Sequence, residues 1–140
     1  MAEGSIVADG LPQAFRAEVM IDGPAASGPG LALTAPISFW GGVDPKTGRI
    51  ADVRHPQHGV SIAGTVLMLP GTIGSSSASA VLLELIHKGL APAAIIMHEA
   101  DAILLLGALV AREMGWPHPA AFRLDASHYP SLDGKLLQAS

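Results

Sequence analysis

The chain has 140 residues, 49% of them hydrophobic and only 14% charged, with a formal net charge of −4 at pH 7. Its eight Lys and Arg residues are scattered, so no basic stripe exists to meet nucleic-acid phosphates. With no cysteine, the chain alone has no disulfide, no thiol nucleophile and no thiolate-held zinc or iron–sulfur centre.

The length suits one domain, 1–140, with a real core, and the sparse charge hints that a partner covers part of the surface. The opening MAEGSIVADG has acids and glycines where a secretory leader would be basic and then apolar. The longest apolar run, Ala102 to Ala111, is far short of the roughly 20 residues a membrane span requires. The expectation is a soluble, cytoplasmic chain that engages neither nucleic acid nor membrane.

In chain order, residues 1–16 show no clear period and read as a terminal extension. Ala17 to Ile21 reads as a short strand, and Asp22 to Gly30 as a Gly/Pro-rich loop. Leu31 to Gly42 reads as extended, Val43 to Ile50 as a tight reversal, and Asp52 to Gly59 as a polar loop. Ser61 to Pro70 reads as a long strand. From Ser75 to Lys88, Ala78, Val81, Leu82, Leu85 and Ile86 recur at helical spacing, and Gly89 suits a helix stop. Pro92 to His98 reads as a buried strand, Ala100 to Gly115 as a second helix, Pro117 to Leu124 as a last strand, and 125–140 as a loop-like extension. A β-rich first half followed by strand–helix–strand–helix–strand predicts an α/β fold, a sheet packed against helices with a second, smaller β layer.

The stretch PGTIGSSSASAVLLELI places Gly71, Gly74, Ser75, Ser76, Ser77 and Ser79 between a strand and a helix. Helix-start N–H groups are unpaired and carry partial positive charge, so this is a ready anion site, and glycine lets a ligand approach the backbone. Serines at a helix start also serve as plain caps, and spacing alone leaves both readings open. A phosphate-binding Walker loop is excluded because no lysine lies between Lys46 and Lys88. The nucleophile-elbow pattern G-x-S-x-G and the dinucleotide fingerprint G-x-G-x-x-G are absent too.

Three blocks then match one family in order: SFWGGVDPKTGRIADVRHPQHG, the serine stretch, and APAAIIMHEADAILLLGALVAREMG. From about Thr34 to Phe122 the chain resembles the small subunit, or swivel domain, of aconitase X. The resemblance implies a swivelling β/β/α fold and a serine base for a dehydratase. It also implies an aconitase X large subunit as partner, which holds the iron–sulfur cluster. Ser75 matches the catalytic position, and Ser76 and Ser77 beside it are the alternatives. Gly74, Ser76 and Ser77 are the implied substrate contacts. Ser77 and Ala78 stand where ordinary aconitases and isopropylmalate isomerases carry Arg-Glu, so the usual carboxylate grip is missing there and a less acidic substrate is implied. Similar bacterial proteins dehydrate cis-3-hydroxy-L-proline, giving 1-pyrroline-2-carboxylate, and archaeal ones mevalonate 5-phosphate. A non-catalytic anion-binding or interaction domain is the reading from another class.

Four other groups carry two readings each. Gly42 and Asp44, in the first block, suit a loop over substrate or a β-turn in which Asp44 holds its own backbone. His55 and His58 form H-x-x-H, but with no third ligand nearby they read as loop residues rather than a metal site. His98, Glu99 and Asp101 enter a helix, where a carboxylate caps or lines a pocket. Trp40 and Trp116 read as packing or as interface anchors.

Overall fold

The structure is a computed structural model that describes residues 2–140. Among these, seven strands close into a barrel in the order β1-β2-β6-β5-β4-β3-β7, with β7 returning to β1. The strands are β1 (Glu3–Ala8), β2 (Phe15–Ile21), β3 (Ala26–Ala32), β4 (Val66–Leu69), β5 (Ala94–Met97), β6 (Ala120–Arg123) and β7 (Leu136–Ala139). Strands β3, β4, β5 and β6 run parallel, while β1, β2 and β7 close the barrel by antiparallel pairing. A one-turn kinked helix α1 (Phe39–Gly42) follows β3, and α2 (Ala78–His87) and α3 (Ala102–Glu113) are the crossovers β4–α2–β5 and β5–α3–β6. A 3-10 turn (Ala126–His128) runs into a short helix α4 (Tyr129–Leu132).

Two cores explain the residue pattern. Ile6, Val66, Met68, Ile96, Phe122 and Leu137 fill the barrel, whereas Leu67, Leu69, Ile95 and Met97 point outward beneath α2 and α3. Strands β4 and β5 are therefore buried on both faces and read as unbroken apolar runs. The helices close that outer core through Val81, Leu82 and Leu85 of α2 and Leu104, Leu105 and Ala108 of α3. Both helices stop by the same device. Leu90 and Trp116 donate backbone N–H groups back to Leu85 and Ala111 at 2.9 Å each, past left-handed Gly89 and Gly115.

Several sequence expectations need correction. The segments 1–16 and 125–140, read as extensions, hold β1, part of β2 and β7, which pair with each other and complete the barrel. Their inward residues are small or few (Gly4, Ile6 and Ala8; Leu137 and Ala139), so the alternation is faint. Asp22 to Gly30, read as loop, contains most of β3. Its Gly28 marks close approach rather than a turn, since a Cβ there would lie 2.4 Å from the Gly64 carbonyl oxygen. The long strand Ser61 to Pro70 shrinks to Val66–Leu69 because Gly64 turns left-handed at φ +70°. No separate second β layer exists among the described residues; the antiparallel strands join the parallel ones in one closed sheet. Also among these residues, no helix is long and apolar enough to cross a membrane.

Candidate active site

The carboxyl ends of β4, β5 and β6 form one rim, and the turns leaving them carry the polar side chains. Ligands of parallel α/β sheets bind at this end, where strands hand over to helix starts. Ile73 N–H donates to the Ile37 carbonyl at 3.0 Å, fixing the turn after β4 to the segment after β3. The helix proper starts at Ala78, three residues later than the periodicity suggests, so Ser75, Ser76 and Ser77 form a turn that feeds it.

Within that turn the three serines are not equivalent. Ser75 is half-buried, and its Oγ accepts the N–H of Ser77 at 3.2 Å. Its carbonyl accepts from Ala78 N at 3.1 Å, which closes the turn. Gly74 and Ser76 are exposed, and the backbone N–H groups of Ser75 and Ser76 have no acceptor among the described residues. Ser79, inside α2, donates its hydroxyl back to the Ser76 carbonyl at 3.3 Å. The turn therefore offers an open helix start with one hydroxyl already polarised by a backbone donor.

The next turn braces it. Asp101 caps α3 by accepting from Ile103 N and Leu104 N, and its other oxygen takes the Thr72 hydroxyl at 2.7 Å. Of the three polar residues read as capping or pocket-lining, Asp101 caps. Between the ends of β5 and β6, His98 Nδ1 accepts the Ala126 N–H at 2.9 Å, and Arg123 Nε donates to the His98 carbonyl at 3.1 Å. The Asp125 carboxyl, held by the backbone N–H and hydroxyl of Ser127 and then by His98 and Arg123, lies below the usual carboxylate range. Tyr129 is buried, donates to the Leu124 carbonyl at 3.0 Å, and has its pKa pushed up by burial.

Gly42 and Asp44 lie elsewhere. Gly42 is buried and its carbonyl accepts from Ala51 N at 2.8 Å, so its backbone holds a loop. Asp44 Oδ1 accepts from Lys46 N at 2.9 Å, yet the residue also lines a cleft of about 420 Å³ with Trp40, Val43, Pro45, Ala51 and Val81. The three serines do not line that cleft. His55 is buried, not a loose loop residue: Nε2 meets the Ala35 carbonyl at 3.1 Å and Nδ1 accepts from Gln57 N at 3.0 Å. Both its ring nitrogens are occupied, and no group of three His, Asp or Glu able to hold a metal occurs among the described residues.

A family model described as the aconitase X swivel domain matches residues 14–136. The chain belongs to that family. The swivel domain is 51% identical over 92 residues to a cis-3-hydroxy-L-proline dehydratase of Pseudomonas aeruginosa, covering 64% of this chain and 16% of that protein. It is 50% identical over 84 residues to a phosphomevalonate dehydratase small subunit of Methanothermobacter thermautotrophicus, covering 60% of this chain and 64% of that one. It thus spans less than two thirds of either relative's length. Among solved structures, Thermococcus kodakaraensis aconitase X in its holo form superposes with a TM-score of 0.71 at 30% identity, over 87% of this chain and 95% of that one. These likenesses agree with the swivel-domain fold inferred from the three sequence blocks.

Sequence reasoning overlooked Thr72, Arg123 and the buried state of His55. Thr72 lies in the turn after β4 and Arg123 ends β6, positions the sequence marks only once the strands are placed.

Proposed function

We propose that this chain is the small subunit of an aconitase X-type hydro-lyase and supplies Ser75 as the general base. In this reading residues 1–140 form one swivel domain. One observation carries the proposal: the Ser75 hydroxyl sits on a glycine turn before α2 and accepts the Ser77 N–H at 3.2 Å. A donor on Oγ favours the deprotonated oxygen, which supports Ser75 ahead of Ser76 and Ser77. In the dehydration, Ser75 Oγ takes the proton from one carbon, the C–H electron pair becomes the new double bond, and the hydroxyl leaves the neighbouring carbon as hydroxide, which an acid or Lewis acid of the large subunit would accept.

The helix start contributes at most about 2 kcal/mol, roughly 1.5 pKa units. That is far too little to ionise a serine at neutral pH, so cationic groups of a large subunit must supply the rest. The donors of this chain do not fit an iron–sulfur cluster, for cysteine is absent and the described residues offer no metal-binding group. The cluster the family implies belongs, in this reading, to the large subunit. Gly74, Ser76 and Ser77 contact substrate through the open turn, while Asp44 lines a separate cleft and Gly42 holds the loop that carries it.

The substrate we favour is cis-3-hydroxy-L-proline, converted to 1-pyrroline-2-carboxylate. The 51% identity to the Pseudomonas aeruginosa dehydratase supports it. Mevalonate 5-phosphate is the second reading, supported by the 50% identity to a phosphomevalonate dehydratase small subunit. Co-purification with a candidate large subunit, then assays on both acids, tests the proposal. The complex should turn over one of them and the isolated chain neither. A stable complex inactive on both would leave the serine turn as an anion-binding or interaction element.

A further inference from the structure

Leu69, Met97 and Arg123 form one row across the ends of β4, β5 and β6, each registered against the next. The serine turn leaves the first of these ends, and the loop to Asp101 leaves the second. Arg123 alternates with Phe122, whose side chain fills the barrel, so its own side chain lies on the face that carries α2 and α3. There its Nε is fixed on the His98 carbonyl at 3.1 Å, while its Nη groups have no acceptor among the described residues. Asp125, the nearby acid, senses the Arg123 charge but forms no ion pair with it within 4 Å among the described residues; its Oδ1 accepts from Ser127 N at 2.9 Å.

Other cations are placed differently. Lys88 and Arg112 stand at the far ends of α2 and α3, and Arg16 of β2 faces Glu3 of β1 at 3.7 Å. Arg49 donates to the Gly59 carbonyl at 2.9 Å. Arg123 is anchored by its own Nε at the rim that bears the serine turn. A guanidinium tethered this way keeps both Nη groups in a planar fork suited to a carboxylate.

We propose that Arg123 is this chain's anchor for the substrate carboxylate. The inference rests on the dehydratase reading, and both candidate acids carry such a group. Strand spacing separates the ends of β4 and β6 by about 10 Å, a gap that a small acid and an extended arginine share. The anchor sets where the acid end lies, and the serine turn then meets the carbon that loses its proton.

The test compares cis-3-hydroxy-L-proline with its carboxamide on the assembled enzyme, or mevalonate 5-phosphate with its carboxamide if that is the acid dehydrated. The wild-type complex should prefer the free acid. Arg123→Gln should raise KM for the acid by about tenfold or more, with a much smaller fall in kcat, and should erase the preference over the amide. Arg123→Lys should recover part of that preference, an outcome that a merely structural role would not produce. An Arg123→Gln enzyme that keeps the wild-type preference for the acid overturns the inference and leaves the dehydratase reading standing. A wild-type complex inactive on both acids overturns the two together.

Discussion

The Thr72 hydroxyl donates to Asp101 Oδ2 at 2.7 Å, tying the turn after β4 to the cap of α3. The other carboxylate oxygen holds Leu104 N at 3.0 Å and Ile103 N at 3.1 Å, so one side chain stabilises a helix start and braces the serine turn. Thr72→Val should cost about 1 kcal/mol, the net value of one hydrogen bond. Asp101→Ala should cost about 1–2 kcal/mol more, because the cap is lost as well. Urea denaturation of the two variants checks the order; equal losses would show that the cap contributes nothing.

Ser75→Ala in the assembled enzyme should lower kcat by about 10²-fold or more, the low end for losing a positioned acid–base group, with KM changed much less. Ser79→Ala should do little, since that hydroxyl is already turned back to the Ser76 carbonyl at 3.3 Å. Ser76→Ala and Ser77→Ala should fall between, because alanine keeps their backbone N–H groups. Steady-state kinetics of the four variants decides the register: an active Ser75→Ala beside an inactive Ser76→Ala or Ser77→Ala shifts the base along the turn.

At Gly107 the helices touch. A Cβ there would lie 2.4 Å from the Ser79 carbonyl oxygen and 3.1 Å from Leu83 N, so α2 and α3 would have to separate. Alanine is the better helix former by about 1 kcal/mol, yet Gly107→Ala should destabilise by about 1–3 kcal/mol net, because overpacking dominates. A denaturation midpoint above wild type would show that the helices yield freely.

Tyr129 gives the fold an alkaline limit. Burial raises its folded pKa, the leading cause, whereas the unfolded chain titrates near the ordinary value of about 10. Its contribution is therefore fully present below about pH 10 and is lost as pH rises through the raised folded value. Chemical denaturation from pH 8 to 11 should show wild-type stability falling above about pH 10. Tyr129→Phe, about 1 kcal/mol weaker at neutral pH through the lost bond to Leu124, should show a flatter profile there. Parallel profiles would remove Tyr129 as the cause.

The amino-acid order by itself determined the crossover helices and the buried parallel strands. Val81, Leu82, Leu85 and Ile86 repeat at 3.6 residues, Gly89 and Gly115 supply stops, and the AIIM run of β5 is apolar because both its faces are covered. These are local signals, each readable within a dozen residues. The serine turn was legible for the same reason, as a glycine joint between two such elements. Barrel closure was not, because β1 and β7 gain their stability by pairing across almost the whole chain, as Ile6 does with Ala139. The ASGPGLA segment became a strand only because neighbouring backbone comes within reach of Gly28 and Gly30, a fact no propensity carries. Likewise Thr72 meets Asp101 across 29 residues and Arg123 meets His98 across 25. Such contacts form where strand ends are brought side by side, so residue types alone do not announce them; the register of the parallel sheet decides them.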